Sequence, residues 1–138
     1  MTTLAFSSVP RSARIYGLLG ALSAGASVVF SAAFAHLPVF SGGMPVMVQT
    51  ALTQQQFHSL GLLLVALALS CWGPSRWLLV AGGLMLAGVL LFSLNLYARN
   101  IWGWDTLRAA VPWGGGAWIL AWLCLAVGAL KARGTGQS

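Results

Sequence analysis

Three features of the sequence predict an all-α integral membrane protein, a four-helix bundle. Apolar residues make up 59% of the 138-residue chain and charged residues only 6%, where a water-solvated domain carries roughly 25%. Four apolar runs are each long enough to cross the hydrocarbon, which takes about 20 helical residues. The few charges sit between those runs. The chain therefore reads as one domain, residues 1–138, whose main solvent is lipid.

The first span is IYGLLGALSAGASVVFSAAFAHL, 15–37, stopped by Pro38. The second, 53–72, opens on the polar stretch TQQQFH and stops at Gly73-Pro74. The third, 76–97, is RWLLVAGGLMLAGVLLFSLNLY. The fourth, 112–130, starts at Pro112, which suits a first helical turn because no N–H donor is needed there. Hydrocarbon offers unpaired backbone groups no partner, so these spans are expected to be helices; the alternation of a membrane barrel is absent.

Basic residues set the expected orientation. Arg11, Arg14, Arg76, Lys131 and Arg133 fall on one side, and Arg99 and Arg108, with Asp105, on the other. That asymmetry predicts both termini in the cytoplasm. An alternative reading takes the first run as a signal peptide cut after Ala33-Phe34-Ala35, leaving three spans. Nucleic acid is not an expected partner, since the basic residues form no patch. Cys71 and Cys124 have neither the spacing nor the neighbours of a metal or disulfide framework, and read as packing residues.

In lipid, close backbone approach holds helices together. Gly17, Ala21 and Gly25 form one candidate stripe at four-residue spacing, Gly83 and Ala87 a second, Ala117 and Ala121 a third, and Gly114 and Gly115 lie where the fourth helix begins. Trp72 and Trp77 suit one headgroup zone, and Trp102, Trp104 and Trp113 the other. Trp118 and Trp122, one turn apart and deeper, are expected to face lipid, another subunit or the bundle.

The unusual chemistry gathers at one end. His36 closes the first span and His58 opens the second; Asn95 and Tyr97 end the third, and Gln55 lies nearby. Two imidazoles on adjacent helices are candidate ligands for haem iron or a metal, and His58 or Tyr97 for a quinone carbonyl. No His or carboxylate stands at helical spacing to complete a metal set, so no metal and no cofactor are expected. The plainer reading has each imidazole bonding a loop carbonyl, Asn95, Tyr97 or interfacial water. Catalysis is not expected either. The chain has one acidic residue, Ser59 beside His58 lacks an orienting acid, and WGGGAW follows no strand and lacks a phosphate-loop lysine. The span centres hold no titratable groups for proton translocation.

FAH at the end of the first span, QTALTQQQFHSL opening the second, VLLFSLNLY ending the third and VPWGGGAWILAWLCLAVGAL as the fourth occur in one order and spacing. Together they resemble the YgdD-like family of small bacterial membrane proteins, domain of unknown function 423, related to the transmembrane protein 256 group. The likeness covers about residues 15–133. The matching positions are His36, Gln49, Thr50, Gln55, Phe57, His58, Leu60, Phe92, Ser93, Tyr97, Pro112, Gly114 and Gly115. The chain departs from the pattern at Phe34, Gln54, Leu94-Asn95 and Val111. The resemblance implies a four-helix protein of the bacterial inner membrane and supplies no reaction. The resulting expectation is a non-enzymatic accessory or assembly subunit, with lipid and other membrane subunits as partners. A redox or ligand-binding module using His36 and His58 is the alternative, and a small channel or transporter the third reading.

Overall fold

The structure, a computed structural model, describes residues 8–132; Arg133 lies outside the described residues. Four helical spans cross back and forth, long and apolar enough for a membrane: Arg11–Phe34, Val46–Trp72, Arg76–Trp102 and Arg108–Lys131. The first is α1 (Arg11–Phe34), which follows Pro10. A 3₁₀ turn at Pro38–Phe40 then folds Phe40 back onto the end of α1, its ring 6.0 Å from that of Phe34.

The second span, α2 (Val46–Trp72), starts just after Pro45, seven residues ahead of the expected Thr53. Gln49 and Thr50 lower hydropathy there, but Gln is a good helix former and Thr costs a helix less than about 0.7 kcal/mol, so polarity alone misplaces the boundary. At its other end Gly73 takes φ 82°, a left-handed value that suits glycine, and its N–H bonds Leu69 O. The third span begins as α3 (Arg76–Gly88), passes through a π-helical segment, Val89–Leu94, and ends as α4 (Asn95–Trp102). It outruns the expected Tyr97 because Ala98 to Trp102 continue the helix, with Arg99 against its negative C-terminal end. Arg99 Nε also meets Asp105 2.8 Å away at the exposed rim, an ion pair of little stabilising weight. The fourth span is a 3₁₀ turn, Arg108–Ala110, leading into α5 (Val111–Lys131) with Pro112 in its first turn.

The helices form two tight pairs, α1 with α2 and α3 with α5, joined where α2 meets the third span. Antiparallel spans bring the start of α1 and the end of α5 to one end, where the Lys131 ammonium sits 4.9 Å over the Trp77 ring. The buried residues of α1 are Ala13, Gly20, Ser27 and Phe34, a seven-residue repeat. This corrects the expected stripe: Gly17 meets Ala66, but Ala21 and Gly25 face outward. A four-residue step turns about 40° around a helix while a seven-residue step turns back only about 20°, so the four-residue stripe drifts off the partner. A Cβ at Gly20 would lie 3.0 Å from the Ser59 carbonyl oxygen and 3.1 Å from Leu63 N, so the α1 and α2 backbones nearly touch.

The same correction applies to α3. Gly83 is exposed and Ala87 half-buried; Gly82, against the Tyr16 ring, and Gly88, against the Trp118 indole, make the close contacts. In α5, Gly114, Ala117 and Ala121 are buried, Gly114 against the backbone of Leu91 and Phe92, whereas Gly115 has open space beside it. The π segment lets both halves of the third span face inward. It absorbs about one residue, a rotation near 100°. Met85 and Tyr97, twelve apart, would otherwise stand about 120° apart around the helix; both are buried.

Two apolar cores result. One, toward the termini, holds Leu62, Val65, Leu69, Leu78, Met85 and Leu125. The other, toward the far end, holds Phe34, Phe40, Val48, Leu52, Leu96 and the Tyr97 ring. Gly20→Leu should destabilise the purified protein by about 1–3 kcal/mol through overpacking, measured by reversible unfolding in mixed detergent. Gly25→Leu should leave it unchanged; equal losses would show that α1 packs on a different face.

Candidate functional site

Between the two cores α2 carries a band of polar side chains, Gln55, His58 and Ser59. Residues three and four apart share one side of a helix, so the band spreads over an arc that meets α1, the third span and α5 together.

Gln55, only 2% exposed, is the hub. Its Nε2 donates to Ser23 O of α1 at 3.1 Å, and its Oε1 accepts the Tyr97 hydroxyl of the third span at 2.8 Å. Ser59 Oγ lies 2.6 Å from Gln55 O and 2.7 Å from Ser23 Oγ. A hydroxyl has one proton; with that of Ser59 on the Gln55 carbonyl, Ser23 is the donor across the helix pair. Ser93 adds a second tie from the third span, donating to Ala51 O at 2.8 Å. The rings of Phe30 and Phe34 flank Tyr97 edge-on, at 5.5 and 5.0 Å between centroids.

His58 faces the other way, toward α5. Its ring stacks on Trp118 at 4.0 Å, nearly parallel. Trp122 Nε1 is 3.2 Å from His58 Nε2, and His58 Nδ1 is 2.8 Å from Gln54 O. An indole N–H can only donate and a carbonyl can only accept. The imidazole is therefore neutral, protonated on Nδ1, with its Nε2 lone pair engaged by Trp122. Iron or another metal at Nε2 would have to displace the indole. Trp118 in turn donates to Met85 O at 3.2 Å, which ties α5 to α3.

The expected end cluster is thus divided. Gln55 and Tyr97 are bonded to each other. Asn95 lies apart, its Nδ2 donating to Leu107 O at 2.7 Å and Leu91 O at 3.1 Å, which folds the following loop over the helix end. His36 is exposed just beyond α1. His58 is twelve residues into α2, about 18 Å along its axis, so it is not a rim residue beside His36. Among the described residues no group of three or more His, Cys, Asp and Glu could hold a metal ion. Ser23, and Trp118 and Trp122 as partners of His58, were not expected at the site, and Ser93 was marked by the family pattern alone. The one-turn spacing of the two tryptophans was the signal for their pairing with His58.

Since α2 and α5 touch so little, a groove of about 340 Å³ opens between them, lined by Gln54, Phe57, His58, Trp118 and Trp122 among others.

The family model described as a protein of unknown function, DUF423, matches residues 32–115. The chain is 32% identical over 122 residues to the UPF0382 membrane protein YwdK of Bacillus subtilis, covering 86% of this chain and 98% of that protein. It is 32% identical over 124 residues to a UPF0382 membrane protein of Staphylococcus epidermidis, covering 88% and 99%. A Haemophilus influenzae UPF0382 membrane protein is 31% identical over 86 residues, 62% of this chain and 68% of that one. No solved structure matches the chain.

Tyr97→Phe should cost about 1 kcal/mol, between the average of about 0.6 and the maximum of about 1.7 for hydrogen bonds between membrane helices, because it strands Gln55 Oε1. In a double-mutant cycle with Gln55→Leu, read by unfolding in detergent, the coupling should be about 1 kcal/mol; strictly additive losses would show that the pair does not interact.

Proposed function

The chain belongs to the DUF423 family and is a small multi-pass membrane protein, and from that premise we propose that it is a non-catalytic accessory or assembly subunit of a larger membrane complex. One observation carries this reading. Among the described residues no buried side-chain nitrogen or oxygen lacks a hydrogen-bond partner. Gln55, Ser59, Ser93, Tyr97 and His58 all bind one helix to another or to themselves. Groups so engaged hold structure: their protons, and the Nε2 lone pair of His58, are already shared within the bundle. The one acidic residue, Asp105, sits at the surface against Arg99.

A protein built this way acts through its surface, and α1 offers the largest free part of it. It is the least buried of the four spans and turns Leu18, Ala21, Leu22, Gly25 and Val29 outward. Small residues between branched ones let a second helix backbone approach closely, so the partner suited to this face is a transmembrane helix of another protein. The reading takes both termini as cytoplasmic, supported by Arg11, Arg14, Arg76 and Lys131 at one end.

A photoreactive amino acid in place of Leu22 should, on illumination of native membranes, yield a discrete adduct with a different membrane protein. The same group in place of Leu62, inside the core, should yield none. Adducts with lipid alone, from a chain that also migrates alone in mild detergent, would overturn the proposal.

A further inference from the structure

The groove between α2 and α5 has a property the accessory role does not use. Gln54 forms part of its wall, and among the described residues the Gln54 side-chain amide makes no hydrogen bond. Gln54 lies eight residues into α2, about 12 Å along the axis. Its amide borders an apolar groove and is engaged by no other helix, so it is the polar contact left for a ligand there.

The remaining walls narrow what that ligand is. Phe57 and Trp122 stand 5.4 Å apart between ring centroids and border the groove with Ile119. Phe57 and Ile119 are 55% and 65% exposed, so the groove opens sideways into lipid. A Cβ at Gly115 would find no atom within 4 Å, which leaves the floor empty. The volume, about 340 Å³, is within the range of small-molecule sites, roughly 300–1,000 Å³. His58 and Trp122 are already bonded to each other, so the free polar contact is the Gln54 amide, whose NH₂ donates.

We infer that this groove binds the ring of an isoprenoid quinone. A quinone ring is flat, carries carbonyl acceptors and no donor, and is electron-poor, so it stacks well on the electron-rich faces of indole and phenyl rings. One carbonyl accepts from Gln54, the ring lies against Trp122 and Phe57 above Gly115, and the tail leaves through the lipid-facing mouth. A phospholipid ester offers the same carbonyl without a ring to fill the aromatic walls. The inference concerns binding alone, with the ring's oxidation state unchanged, and it stands or falls independently of the docking partner.

The test is photolabelling of the full-length protein, in nanodiscs of phosphatidylethanolamine and phosphatidylglycerol, with an azido-quinone. The label should map to residues 54–57 and 115–122 and be displaced by excess decylubiquinone, but not by added short-chain phospholipid. Gly115→Leu, which fills the floor, should weaken labelling about tenfold, and Gln54→Leu, which removes the donor, about fivefold. Gly116→Leu also enters open space and should change nothing; melting curves of the three variants confirm that each folds. Label scattered around the lipid-facing surface, labelling unaffected by Gly115→Leu, or displacement by phospholipid would each overturn the inference.

Discussion

A carboxamide or hydroxyl in hydrocarbon has no water to turn to, and this constraint organises the molecule. Gln55 meets it by reaching two helices at once, α1 through the Ser23 carbonyl and the third span through the Tyr97 hydroxyl. Apolar contact between membrane helices differs little from contact with lipid, so α1, the least buried span, depends most on such directed bonds. Gly20 works to the same end, because only without a side chain there do the α1 and α2 backbones come close enough for Ser23 to reach Ser59.

The second half of the polar band follows the same rule with different chemistry. His58 satisfies both ring nitrogens and stacks on an indole, while Trp118 reaches past it to a carbonyl of α3. The π-helical segment belongs to this arrangement, since it turns Tyr97 toward Gln55 while Gly88 still faces Trp118. Apolar cores on either side close the band off. A polar layer of this kind fixes the order and register of the helices.

The four spans were legible because the bilayer imposes a length that few other settings require. The start of α2 was not, because hydropathy penalises Gln49, Thr50 and Thr53 where helix geometry accepts them. Packing faces were half legible. Small residues announce close contacts, yet Gly25 and Gly20 look alike until the seven-residue drift of a packed pair is known. The three consecutive glutamines show the limit most clearly. Successive residues point about 100° apart, and Gln54, Gln55 and Gln56 meet the groove, the core and the outside respectively. Nothing in their identities ranks them; only the neighbouring helices do. Polar sequence neighbours tie His58 to the polar end, whereas its spatial neighbours are two tryptophans 60 and 64 positions away.

Whether the buried polar groups of the spans are engaged by one another is read most directly from the ¹⁵N NMR spectrum of the His58 imidazole in lipid nanodiscs. The ring should be neutral and protonated on Nδ1, with Nε2 coupled to a downfield-shifted Trp122 indole proton. A ring protonated on Nε2, or an indole proton exchanging freely with solvent, would contradict that engagement.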